Sequence, residues 1–119
     1  MKNLDRIIVP KGWGFEHWLA NSPDYCAKVL HFNKGKLCSF HYHKRKTEHF
    51  HVIKNSFIIR YSFGDDLSLA ESVILEEDDT FYVPRGLRHQ MEALEEDSRL
   101  FETSTEHFEE DSYRIVKGD

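Results

Sequence analysis

Phe40-His41-Tyr42-His43-Lys44-Arg45-Lys46-Thr47-Glu48 brings two imidazoles and a carboxylate together in one short stretch. Pro84-Arg85-Gly86-Leu87-Arg88-His89 adds a third imidazole from far along the chain. In a strand, side chains alternate between faces, so His41 and His43 point the same way, about 7 Å apart along the backbone. Glu48 lies across a short turn and can swing back toward them. The Pro-x-Gly before His89 is a tight-turn signal that fixes where that ring arrives. Three imidazoles and one carboxylate suit a divalent ion: zinc is the first expectation, and iron, manganese, nickel or cobalt are compatible with the same donors.

Outward from these residues, the chain reads as all-β. Gly, Pro, Asn and Asp punctuate it at short intervals, and the stretches between are rich in Val, Ile, Phe and Tyr. Strands are expected over 6–9, 13–19, 25–33, 37–43, 49–53, 56–63, 68–75, 79–83, 88–94 and 98–104. Asn33-Lys34-Gly35, Lys54-Asn55-Ser56 and Gly64-Asp65-Asp66 read as turns, with Asn55 a candidate for the left-handed conformation. The polar tail, 106–119, is expected to hold one helical turn or a final strand. So many short strands in one small unit must close their edges, and a double-sheet jelly roll does so around an internal pocket.

A chain of 119 residues with nine Phe, five Tyr and two Trp supports one domain with one core. Net charge is −5, with both signs scattered, and there is no basic stripe of the kind nucleic acid selects. No stretch approaches the ~20 apolar residues of a membrane helix, and no signal peptide is visible. A cytoplasmic protein is therefore expected. Cys26 and Cys38 read as reduced packing residues, with a cross-strand disulfide as the open alternative. The acidic runs Glu76–Asp79, Glu95–Asp97 and Glu109–Asp111 read as solvated turns. His49 and His51 fall on the face opposite Glu48 and read as surface or interface groups; His17 and His31 read as structural.

The two metal-ligand segments resemble the paired motifs of the cupin superfamily. Five residues separate Gly35 from His41, His43 follows, and Glu48 comes after four more. In the second motif Pro84, Gly86 and His89 fall in place. Asn55 and Asp78 stand where the motifs carry glycine, so the departures lie at turns and not at ligands. The resemblance implies a double-stranded β-helix in a single domain over 1–119, with metal motifs at 35–55 and 78–93.

Flanking segments are similar to the mannose-6-phosphate isomerase-like group of small cupins. Lys11-Gly12-Trp13-Gly14-Phe15-Glu16-His17-Trp18-Leu19, then Tyr25-Cys26-Ala27-Lys28, are similar to its opening, and Glu102-Thr103-Ser104-Thr105-Glu106-His107 with Asp111 and Arg114 to its tail, though Lys117-Gly118-Asp119 stands in place of the group's Asp-x-Tyr-Gly-Arg finish. Lys46 stands where that group carries Arg, which keeps a cation but loses a bidentate fork.

This likeness implies an isomerase or epimerase of a sugar phosphate or nucleotide-linked sugar. Lys46 and Arg114 are then candidates to hold a phosphate or a developing oxyanion, and Glu102 and His107 to move protons. Lys46 and Arg114 as surface charge, and Glu102 and His107 as a buried pair or exposed tail residues, are equally open. Two other functions fit the same ligands: an iron-dependent oxygenase, and a metal-holding module that binds a sugar or small acid without turnover. Trp13 and Trp18 are read first as packing residues and second as platforms for a sugar ring. Cupins commonly pair, so a homodimer is expected, with Phe57-Ile58-Ile59 a candidate for its contact or for the core.

Overall fold

The computed structural model describes residues 1–2 and 5–119. Eleven strands build two antiparallel sheets among these residues. The larger contains β1 (Ile7–Lys11), β2 (Gly14–Asn21), β3 (Cys26–Phe32), β5 (Glu48–Lys54), β8 (Thr80–Val83) and β10 (Ser98–Ser104), in the order β1-β2-β3-β10-β5-β8. The smaller contains β4 (Phe40–Tyr42), β6 (Phe57–Ser62), β7 (Glu71–Leu75), β9 (Arg88–Ala93) and β11 (Tyr113–Val116), in the order β11-β4-β9-β6-β7. The late strand β10 lies between β3 and β5, so the chain closes its sheet by long-range pairing, as a jelly roll requires.

Side-chain parity explains how the two sheets face each other. On β5, Glu48, Phe50 and Val52 are buried while His49 is exposed. On β3, Cys26, Lys28, Leu30 and Phe32 are all buried. The apolar members of these rows meet Phe57, Ile59 and Leu100 in a continuous core, and burying each such side chain contributes about 1.5–3 kcal/mol. Trp13 closes one end by stacking on Phe32, with ring centroids 4.0 Å apart. Its neighbour Gly14 has φ +150, and a Cβ there would run into the His31 carbonyl, so the entry into β2 needs glycine.

The expected strands appear, with instructive shifts. The segment expected to be extended over 37–43 is regular only at Phe40–Tyr42, because Leu37 makes a single bridge to Glu92 and the Met91 N–H then goes to the Cys38 thiol in place of a backbone carbonyl. The segment 68–75 begins instead with a short 3-10 turn, Leu67–Leu69, because the Asp66 carboxylate accepts from the Ser68 N–H and caps it. The tail forms both of its expected options, a 3-10 turn at Glu109–Asp111 and the strand β11.

Asn55 and Asp78 adopt φ +64 and +71, the left-handed conformation that glycine takes most easily. Phe57 and Ile59 are completely buried in the core, so only Ile58 of that run faces outward, opposite Ile74. Cys26 and Cys38 are free buried thiols. No helix among the described residues is long and apolar enough to cross a membrane.

Candidate metal centre

Pairing of β4 with β9 puts His41 directly opposite His89, and His43 follows just beyond the end of β4. The three ring centroids are 4.4–5.5 Å apart. Each ring is held by its Nδ1. His41 Nδ1 donates to the Ser39 carbonyl at 2.8 Å, His43 Nδ1 to the Asp111 carbonyl at 2.8 Å and His89 Nδ1 to the Leu87 carbonyl at 2.9 Å. A carbonyl can only accept, so each Nδ1 carries the proton and each Nε2 is left as a lone-pair donor. Such outer bonds fix tautomer and ring orientation in metal sites.

One ligand atom from each histidine lies within 4.8 Å of the other two, a spread that a cation bonding at ~2.1 Å would draw in. Burial, with the neighbouring histidines adding to it, holds His41 well below its ordinary value; burial likewise lowers His89. Both rings are therefore neutral and available as ligands near neutral pH.

Glu48 approaches from the opposite sheet. Its Oε1 lies 2.9 Å from His43 Nε2, and its Oε2 lies 3.7 Å from His89 Nε2. Glu48 Oε2 and His89 Nε2 are the two fully buried side-chain atoms, among the described residues, that lack a hydrogen-bond partner. Both are acceptors, they face each other, and water is excluded. Leaving such groups unpaired is costly, and a cation between them removes the cost. The donor set and these two orphaned atoms fit a divalent ion, held by His41, His43, His89 and Glu48.

Behind Glu48 lies a second layer of charge. Lys46 is buried, and its Nζ sits 3.0 Å from Glu48 Oε1, 3.2 Å from Glu102 Oε2 and 3.2 Å from His107 Nδ1. Those three acceptors match the three donors of an ammonium. Burial opposes its charge, but Glu102 and Glu48 outweigh that and raise the Lys46 ammonium above its ordinary value. Burial pushes the Glu48 carboxyl up, but the Lys46 ammonium outweighs it and holds Glu48 well below the usual range. Burial, then Lys28 and Lys46, lowers His107, whose Nε2 bonds Glu109 at 3.1 Å. Lys46 is thus no surface charge, and Glu102 is buried beside it.

Asp111 holds the loop that carries these groups. Its Oδ1 accepts from the backbone N–H of Lys44 at 2.9 Å and Arg45 at 3.1 Å, and its Oδ2 from that of Lys46 at 3.0 Å. It is only 2% exposed, which overturns the reading of Glu109–Asp111 as a wholly solvated turn. A carboxylate collecting successive loop amides needs no solvent.

The centre opens into a cavity of about 450 Å3. Glu16, Lys28 and Glu102 line it from the larger sheet. Arg114 and Lys117 come from the tail, whose Asp119 is tied to the backbone of Leu37. Arg114 is exposed at this lining and pairs in register with His41. Trp13 also lines the cavity, while Trp18 bonds Glu16 through Nε1 at 2.9 Å. His49 and His51 lie on the outer face of β5, and His31 stacks on Phe15; none of them reaches the centre.

Lys28 and Asp111 carried no assigned role in the sequence reading. The inward parity of Lys28 in Cys26-Ala27-Lys28-Val29-Leu30 is a signal that could have found it. Asp111, inside an acidic run, is marked only by its place in the tail likeness.

No protein-family model matches the chain, and no curated protein matches it. Solved structures do resemble it. The capsular polysaccharide assembling protein CapF from Staphylococcus aureus superposes with a TM-score of 0.84 at 19% identity, over 96% of this chain and 33% of that one. Oxalate decarboxylase from Bacillus subtilis gives 0.79 at 20% identity, over 92% and 30%. KdgF from Halomonas sp. gives 0.70 at 23% identity, over 81% of each chain. The chain spans about a third of the length of CapF and of oxalate decarboxylase. These likenesses lie in architecture, and they place the two-sheet barrel described above in the cupin jelly-roll fold.

Proposed function

We propose that this protein uses a divalent ion, held by His41, His43, His89 and Glu48, to isomerise or epimerise a phosphorylated or nucleotide-linked sugar. The observation that carries the metal reading is the facing pair of orphaned acceptors, Glu48 Oε2 and His89 Nε2, beside two further Nε2 lone pairs. CapF, by its name a protein of capsular polysaccharide assembly, supports the sugar chemistry, and oxalate decarboxylase, described with Mn(II) centres, supports a metal in this fold.

A divalent ion in that position supplies a Lewis acid that polarises a substrate carbonyl and the neighbouring hydroxyl. The chain's own groups do the rest. Lys46, with every donor engaged, positions Glu48 and Glu102 and places a fixed positive charge beside the cavity, where an oxyanion develops. Glu102 is the candidate base for the proton next to the carbonyl, because Lys46 engages only its Oε2, whereas His107 is bonded at both ring nitrogens. Arg114 lines the cavity as an exposed cation, suited to a phosphate that remains partly solvated.

The test is proton exchange in heavy water. Protein loaded with zinc, iron or manganese is incubated with a panel of hexose phosphates and followed by proton NMR. Deuterium should enter beside the carbonyl, and chelation or His89→Ala should stop it. No exchange and no turnover in any metal form would contradict the reaction.

A second reading, ligand binding without turnover, is favoured by one observation. His107 is bonded at both ring nitrogens and Lys46 at all three donors, an arrangement that holds groups still. Thermal stabilisation by a sugar phosphate with no product formed would select it.

A further inference from the structure

Lys28 is an anomaly in its row. It alternates inward with Cys26, Leu30 and Phe32, is 2% exposed, and stands where an apolar side chain would complete the core. A buried cation costs several kcal/mol in lost hydration unless close partners replace the water. Lys46, in the same cavity, has such partners at 3.0–3.2 Å. Lys28 has Glu16 Oε1 at 3.7 Å, beyond hydrogen-bond length, and that oxygen already accepts from Trp18 Nε1. The face of Trp18, 4.3 Å from Nζ, holds the ammonium in place without consuming its donors. The cation is therefore fixed, inside the cavity, with donors to offer.

We propose that Lys28 and Glu16 form a subsite for adjacent hydroxyls of a sugar, apart from the metal ligands. A hydroxyl both donates and accepts. Lys28 donates to one sugar oxygen, Glu16 accepts from its neighbour, and Trp18 backs the pair with an apolar surface. The subsite's own charges, Lys28 and Glu16, cancel, which suits a neutral polyol better than an anion, and the cavity lining as a whole balances five acidic against five basic side chains. An anionic end of the ligand is better placed toward the exposed cations Lys11, Arg114 and Lys117. This subsite rests on the reading that the cavity holds a sugar, but not on any reaction taking place there.

Lys28→Met is the direct variant, because its row is otherwise apolar and a straight apolar chain fits it. Glu16→Gln is the second, keeping size and losing charge. Zinc-loaded protein is titrated with D-fructose 6-phosphate and D-mannose 6-phosphate, and the metal-free protein with zinc alone. The subsite predicts sugar binding weakened roughly 10-fold to 100-fold in Lys28→Met, and weakened also in Glu16→Gln. Zinc affinity and melting temperature should hold or rise in Lys28→Met. Sugar affinity equal to wild type in both variants would overturn the proposal. So would loss of zinc affinity in Lys28→Met, or wild type that takes up zinc but neither sugar phosphate. Sugar binding that depends on Lys28 with no proton exchange would instead retain the subsite and remove the isomerase reading.

Discussion

Replacing Asp111 isolates the contribution of one carboxylate to both folding and metal binding. Its two oxygens accept from three consecutive backbone N–H groups, those of Lys44, Arg45 and Lys46, at 2.9–3.2 Å. A hydrogen bond to a charged group contributes about 1.5–3 kcal/mol, and three sharing one acceptor fall short of their sum. Removal in Asp111→Ala lets water reach the amides of Lys44 and Arg45, but the Lys46 amide is buried. The expected loss is roughly 3–4 kcal/mol, with Asp111→Asn losing about half as much because one oxygen remains to accept. The same loop carries His43 and leads into Glu48, so zinc affinity should fall about 10-fold to 100-fold, as for other groups that orient metal ligands. Urea unfolding in the presence of chelator reads the first effect, and zinc titration of the folded variant reads the second. If Asp111→Ala unfolds within ~0.5 kcal/mol of wild type and binds zinc equally well, the loop is held by something else and the reasoning fails.

Three further outcomes follow from the same geometry. Lys46→Met leaves Glu48 and Glu102 buried without their cation, so the metal-free protein should lose roughly 3–5 kcal/mol by urea unfolding, and zinc should restore part of that by pairing Glu48. His41 and His89 are depressed below the ordinary 6.5, so in chelator the unfolded chain binds protons that the folded chain refuses as pH falls below that value. Melting temperature should therefore drop on acidification from about pH 7, Glu48 extending the drop below its ordinary 4.5, and a flat profile would contradict the burial of neutral imidazoles. Asp78→Gly should stabilise by about 0.5–1 kcal/mol in thermal unfolding because it relieves a left-handed aspartate, whereas Asn55→Gly should gain less, since Asn55 Nδ2 donates to the Glu96 carbonyl at 2.8 Å.

The metal histidines were legible because a strand's two-residue period makes His41 and His43 neighbours whatever else the chain does. The partners of those histidines were not. Which residue meets Lys46 depends on β10 inserting between β3 and β5, a pairing of segments about fifty residues or more apart that leaves no local mark. The same insertion puts Glu102 opposite both Lys28 and Phe50, so a residue known from the tail becomes part of the cavity wall. Strand β11 was hard to separate from a helical turn because it is exposed over most of its length and shows no clean alternation. Asn55 and Asp78 were legible as turns, and the structure gives the reason they replace glycine: both tolerate positive φ through short polar side chains.

Zinc titration of the metal-free protein, beside its His41→Ala and His89→Ala variants, tests the centre most directly. One ion per chain should bind to wild type, and each variant should bind it more than about 100-fold more weakly. Variants that take up zinc as tightly as the parent would show that the three imidazoles and Glu48 do not share an ion.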